Sequence, residues 1–264
     1  MWTQSTDKPG YKSFFVYLHY FLTLCDTRKV PDTIGFINLY EYPIIRKDGK
    51  EPFPYYYLPE DTLDISQLTP IMTPTGLSGY LDLTLPPKDQ WEYATKLFYP
   101  KYCRTSYEGT NNIDVPWNQK IKTLFFRGSA TGCFLDNRNP RIKLIELAKE
   151  WNSDLLDAKI TKISGWESVE CRKDGKPDLE CKKDGYAKVS TPSDKLEKLV
   201  SKNSYVPQKD QPKYRYLLSI EGTVAPWREP FILNTGSTMV RQDNPYRFWY
   251  ESMIKPLKHY VPLK

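Results

Sequence analysis

From Thr123 onward the chain alternates short apolar runs with helical patterns, and that alternation limits its fold more than any other feature. Residues 123–126 read as a strand, residues 140–151 as a helix with Pro140 at its first position, and residues 155–160 as the next strand. Ile142, Ile145 and Ala148, with Leu144, Leu147 and Trp151, give that helix a face fit to pack on a sheet. Residues 214–220 form a further strand, Ala225-Pro226-Trp227-Arg228 opens another helix, and residues 236–240 return as a strand. Such repetition predicts an α/β fold, a mostly parallel sheet with helices on both faces.

At the head of this half stands LFFRGSATG, residues 124–132. Three apolar residues run into Arg127-Gly128-Ser129, read here as a small-residue turn, and a helix opens soon after. That layout can hold a phosphate. Glycine lets backbone N–H groups approach an anion, Ser129 and Thr131 add hydroxyls, Arg127 can fork onto oxygens, and a helix N-terminus carries partial positive charge. Alone the motif is weak, and neither the Gly-Lys-Ser/Thr ending of a nucleotide-kinase loop nor Gly-x-Gly-x-x-Gly is present there. Arg127, Arg138 and Arg228 each lie near a predicted strand–helix junction. If those junctions share one sheet edge, three guanidinium groups converge where an anion sits.

The first half is less regular. Residues 11–25 predict a buried helix and residues 34–39 a core strand ending at Tyr40-Glu41-Tyr42-Pro43. Pro43 cannot continue a central ladder, which leaves Glu41 and Tyr42 at a strand end, where open α/β sheets bind ligands. Asp64, between Leu63 and Ile65, is a carboxylate with apolar neighbours, a setting that suits a general base, although a turn or helix cap is the commoner role of such an Asp. Residues 70–87, with four prolines and two glycines, predict an irregular loop, and residues 90–98 a short helix. Residues 101–118 are polar and turn-rich, a linker between two halves; residues 246–254 read as a final aromatic helix.

Charge and composition narrow the chemistry. The net charge of +6 comes without a basic block, which favours a small anionic ligand over a nucleic-acid backbone. The 20 tyrosines and 7 tryptophans suit a stacking or carbohydrate surface, or tyrosines at a half-wet interior. With two histidines, no Asp-x-Asp and no paired-cysteine ligand set, no dedicated metal site is expected. Five cysteines without Cys-x-x-Cys spacing read as free thiols in a reducing compartment, although Cys171 and Cys181, in the echo CRKDG and CKKDG, could pair across a hairpin. The N-terminus is polar, and the apolar run at residues 14–24 is too short to span a membrane. A soluble, cytoplasmic protein is expected.

An ordered series of segments resembles glycosyltransferase family 90, which includes fungal capsule-associated xylosyltransferases and animal protein O-glucosyltransferases. The segments are FFRGSATG at 125–132, NRNP at 137–140, KYRYLLSIEGTVAPWR at 213–228, LNTGS at 233–237 and KPLKHYVPL at 255–263. PDTIGFINLYEYP at 31–43 and LDI at 63–65 match more loosely. The resemblance implies twin Rossmann-like domains of the GT-B type with the active site in the interdomain cleft. Residues 1–117 would be the acceptor-side domain, residues 118–245 the UDP-sugar domain, and residues 246–264 a helix and tail packing back toward the first. It further implies a UDP-sugar donor, xylose ahead of glucose, a glycan or glycoprotein acceptor, inversion to a β-linkage, and neither metal nor other cofactor.

Carried over position by position, Asp64 matches the catalytic base, with Asp61 a nearby competitor. Arg138 and Arg228 match the diphosphate-binding arginines. Gly128, Ser129, Gly236 and Ser237 line the donor, Arg127 is either a further donor contact or a structural anchor at the strand end, and Glu41 and Tyr42 face the acceptor. The chain departs from the family where a tryptophan- and glycine-rich stretch gives way to residues 70–87, which contain no Trp. It also lacks the secretory leader and retention tail of animal members, and so resembles the short members of large algal viruses, acting in host cytoplasm. Two other readings stay open: a glycan- or nucleotide-binding module that has lost activity, and a sulfate- or phosphate-transfer protein.

Overall fold

The computed structural model of the chain describes residues 9–32, 34–39, 41, 43–45, 70–87, 90–91, 115–131, 139–151, 154–163, 166–168, 186–188, 197–222 and 224–263. Tyr42, Asp61, Asp64, Arg138, Cys171 and Cys181 lie outside them. The chain divides into two compact units: one from the N-terminal part with Tyr246–Glu251, the other from the part ending at Pro245 with Ser252–Lys264.

The first unit carries helix α1 (Pro9–Thr27) and a three-stranded parallel sheet, β1 (Phe36–Ile37), β2 (Ile71–Thr73) and β4 (Leu83–Thr84), with β2 in the middle. The apolar run expected as a long strand is therefore paired over two residues. The proline-rich stretch is more ordered than its composition predicts, because Pro70 and Pro74 bracket β2 without interrupting it. Both carboxylate oxygens of Asp82 accept backbone N–H groups, from Ile44 and Ile45, each at 2.8 Å. That clamp ties the segment after Pro43 to the sheet. A short antiparallel pair joins β3 (Gly76–Leu77) to β11 (Tyr246–Arg247).

Residues 246–254 are thus not a helix. Tyr246, Phe248 and Tyr250 are buried while Arg247 and Trp249 are exposed, the two-residue period of an extended chain. One turn of 3-10 helix, Glu251–Met253, follows.

The second unit is built on a five-stranded, wholly parallel sheet in the order β12-β10-β9-β5-β6. The strands are β5 (Ile121–Ala130), β6 (Leu156–Ile163), β9 (Tyr214–Ser219), β10 (Thr238–Gln242) and β12 (Tyr260–Leu263). Helix α2 (Pro140–Trp151) joins β5 to β6, and the short helix α3 (Glu229–Leu233) joins β9 to β10. β12 carries Pro262 within its ladder, which only an edge strand tolerates, and that proline hid the strand from sequence reading. Between β6 and β9 in the chain, β7 (Trp166–Ser168) and β8 (Tyr186–Lys188) pair antiparallel.

The core lies on both faces of the sheet. On one, Phe126, Ala130, Ile160, Leu218 and Ile220 meet Ile142 and Ile145 of α2. On the other, in register across three strands, are Phe125, Leu217 and Met239. The crossovers β5-α2-β6 and β9-α3-β10 run in opposite directions along the sheet, which for the right-handed connections parallel strands adopt puts α2 and α3 on opposite faces. In chain order the strands occupy the positions second, first, third, fourth, fifth. The direction of winding reverses between β5 and β9, and at such a switch point the carboxyl ends of the two strands splay into a ligand crevice.

Candidate functional site

The carboxyl ends of β5 and β9 carry the residues that matter. The segment Arg127-Gly128-Ser129 is not a turn: β5 continues to Ala130, paired to Ile163, and absorbs an irregularity of register at Gly128/Ser129. Bulges of this kind re-aim side chains next to binding sites.

Gly128 is there because of Arg228. A Cβ on Gly128 would stand 2.9 Å from Arg228 Nη2 and 2.9 Å from Phe126 Cζ. The guanidinium of Arg228 lies over the Phe126 ring, 4.8 Å from its centroid. Among the described residues it has no hydrogen-bond or carboxylate partner. Burial without a counter-charge pulls its pKa down to about 10.

Arg141 lies behind it, unforeseen from the sequence. It stands in the first turn of α2, where a cation opposes the helix dipole, and that misplacement was the available signal. Its guanidinium leaves the helix to stitch two strand ends together. Nε donates to Glu221 O at 2.7 Å, Nη1 to Ser129 O at 2.8 Å and Thr131 Oγ1 at 2.7 Å, and Nη2 to Ile220 O at 3.1 Å. A Cβ on Gly222 would fall 2.6 Å from Arg141 Nη2, so glycine is needed for this approach as well. None of these acceptors is charged. Burial, with Arg228 adding repulsion, brings the Arg141 pKa down to about 9, and Glu221 offsets part of that.

Asn139 fastens the start of α2 to the same place. Its Oδ1 caps the helix by accepting from Arg141 N at 2.9 Å and Ile142 N at 3.3 Å, and its Nδ2 donates to Thr131 O at 2.8 Å. On the far side, Glu229 is fully buried, and its Oε1 accepts from Ser219 Oγ at 2.8 Å and Arg241 Nε at 2.9 Å. Glu229 follows Arg228 in the chain, so this network fixes the backbone that presents it.

Of the two readings of Arg127, the structure shows the anchor. Arg127 spends all five N–H donors inside the protein: Nε on Ser204 O, Nη1 on Phe126 O and Asp157 O, and Nη2 on both Asp157 carboxylate oxygens at 2.8 Å. It anchors β5 to β6 and has no donor left for a ligand. Gly236 and Ser237 stand at the amino edge of the sheet, before β10, roughly 15–20 Å from Gly128 at the usual strand rise. There Ser237 Oγ donates to Tyr214 O at 2.7 Å and accepts from Lys120 Nζ at 3.1 Å, and Lys120 Nζ also donates to Pro212 O and Thr235 O. Gly236 has φ +63°, the left-handed value that this turn into β10 requires. Gly128, Ser129 and Arg228 are brought together; Arg127, Gly236 and Ser237 do not join them. Glu41, in the other unit, accepts a hydrogen bond from Thr75 Oγ1 through its main-chain carbonyl.

Among the described residues, a guanidinium without a hydrogen-bond partner and a second buried one, backed by close-packed glycines, stand at the switch point of a Rossmann-like α/β sheet. The model of Glycosyl transferase family 90 matches residues 18–264, and the chain belongs to that family. It is 29% identical to protein O-glucosyltransferase 3 of Homo sapiens over 90% of this chain and 38% of that protein. To protein O-glucosyltransferase 1 of Rattus norvegicus it is 26% identical over 90% of this chain and 50% of that protein. It is 26% identical to the uncharacterized protein 179R of Invertebrate iridescent virus 6, over 93% of this chain and 23% of that protein. The chain thus spans a quarter to a half of the length of these relatives. Among the described residues no helix is long and apolar enough to cross a membrane.

Proposed function

We propose that this chain is an inverting glycosyltransferase that moves glucose or xylose from a UDP-sugar to a hydroxyl of a glycan or glycoprotein, without a metal ion. Family membership supports sugar transfer, and the names of the animal relatives support glucose. Parallel strand pairing in both units supports twin Rossmann-like lobes of the GT-B type. The observation that carries the donor half is Arg228, a guanidinium with no hydrogen-bond or carboxylate partner among the described residues, held over Phe126 at the switch point.

In this reading Asp64 takes the proton of the acceptor hydroxyl as that oxygen attacks the anomeric carbon in line. The bond from that carbon to the diphosphate oxygen breaks, and its electron pair leaves with UDP. Negative charge grows on the departing diphosphate, and Arg228, with Arg138, offsets it. Arg141 contributes charge from behind and holds the strand ends at their spacing.

The test is a panel of UDP-sugars measured by thermal shift and by slow donor hydrolysis, repeated in chelator. UDP-glucose or UDP-xylose should raise the melting temperature, and turnover should persist in chelator. Binding of an unrelated nucleotide alone overturns the reading. Asp64→Asn should abolish transfer while leaving donor binding in place, and an unchanged rate removes Asp64 from its role.

A further inference from the structure

The turn that opens β12 holds a leucine where glycine belongs. Residues 255–258, Lys-Pro-Leu-Lys, are closed by Lys258 N–H donating to Lys255 O at 3.3 Å, with Pro256 second and Leu257 third. Leu257 has φ +61°, and among the described residues no other residue but glycine takes a positive φ. Proline followed by a left-handed third residue is the layout of a type II turn, whose third position ordinarily takes Gly or Asn. A bulky side chain there is strained, and such strain persists only where the surroundings enforce it. Here three further bonds do so. Leu257 N–H donates to Tyr260 O at 2.8 Å, His259 N–H to Lys255 O at 2.9 Å, and Lys255 N–H to His259 Nδ1 at 2.9 Å.

Burial does not offset that strain, because Leu257 is 83% exposed. The leucine is displayed. Met253, just before the turn, is 63% exposed, and Val261 and Leu263, on one face of β12, are exposed as well. Lys255, Lys258 and His259 surround the apex at the surface, and residues 252–264 contain three lysines and no Asp or Glu. We propose that this turn docks on an anionic membrane surface, with Leu257 entering the boundary between headgroups and acyl chains while Lys255 and Lys258 meet the lipid charges. A protein partner needs a pocket matched to one leucine, whereas a lipid surface needs none, and an apolar apex between cations gains burial and charge attraction together. The turn stands at the amino edge of the sheet, as Gly236 and Ser237 do, so docking there leaves Gly128 and Arg228 open at the carboxyl edge.

Co-flotation of the full chain with vesicles of phosphatidylcholine alone, or with about a third of the lipid replaced by phosphatidylserine, tests this at low and high salt. Wild type should float with the phosphatidylserine vesicles at low salt, be released at high salt, and stay behind with phosphatidylcholine alone. Leu257→Gly supplies the residue that the turn favours. It should melt no lower than wild type, yet bind the anionic vesicles about tenfold or more weakly for want of the apolar apex. Lys255→Ala combined with Lys258→Ala should weaken binding by about tenfold or more through lost charge. Failure of wild type to bind the anionic vesicles overturns the proposal and leaves the turn to a protein partner or to none. Undiminished binding by Leu257→Gly overturns it too. So does a Leu257→Gly protein that melts lower, since the leucine would then serve the fold and not a surface.

Discussion

Arg228 occupies the space that a side chain at Gly128 would take: Nη2 is 2.9 Å from where the Cβ would be. Gly128→Ala therefore forces the guanidinium off Phe126 and presses on a core ring that cannot yield. Overpacking of this kind costs about 1–3 kcal/mol. Thermal unfolding should show that loss, and calorimetry a UDP affinity lowered by about tenfold or more as the bidentate donor is displaced.

Replacing Arg228 itself should divide function from stability. Arg228→Lys loses the planar fork, and UDP binding should weaken by about 10–100-fold. Arg228→Met, without ligand, should melt no lower than wild type and can melt higher, because it removes a desolvated cation that has no carboxylate partner among the described residues. The sign follows from the lowered pKa. Below about 10 the folded state carries a charge it disfavours, and the penalty is relieved only as pH rises through that value.

Arg127 and Ser237 should behave in the opposite way. Arg127→Met breaks a buried guanidinium from Asp157, which is itself 32% exposed, and a loss of about 1–3 kcal/mol is expected after allowing for solvent screening. Ser237→Ala removes one acceptor from Lys120, at about 1 kcal/mol. UDP affinity of the folded fraction should stay at the wild-type value in both. A tenfold loss in either would return that residue to the donor site.

Glu221 links the site to pH. Its folded-state pKa is raised by burial above the 4.5 of a free side chain, so the folded protein takes up a proton more readily than the unfolded one. Relative to Glu221→Gln, wild type should be least stable above the folded pKa. The gap should close as pH falls below the unfolded value. Chemical denaturation of both proteins across that range checks the direction, and a gap that widens on acidification contradicts it.

The parallel sheet of the second unit was legible in the chain because local signals agree with the fold. Residues 140–151 carry a helical apolar face with proline at its start, and β5, β6 and β9 are apolar runs of strand length. β11 and β12 were not: aromatic residues 246–254 fit two periods, and Pro262 is acceptable only at an edge, which no local pattern reveals. Of the site, Gly128 and Arg228 were legible as an arginine and a glycine near strand ends. Arg127 and Arg228 look alike in sequence, and what separates them is Asp157, thirty residues from one and absent from the other.

The sequence by itself determined the α/β class, the succession β5, α2, β6, β9, α3, β10, and the supply of small residues and arginines. Tertiary structure alone decided which of them share an edge. A parallel strand has two ends, and a residue just before it stands far from one just after it, which sends Gly236 and Ser237 away from Gly128. Burial then decided charge: Arg127 met a carboxylate, whereas Arg228 met an aromatic ring and, among the described residues, no acceptor.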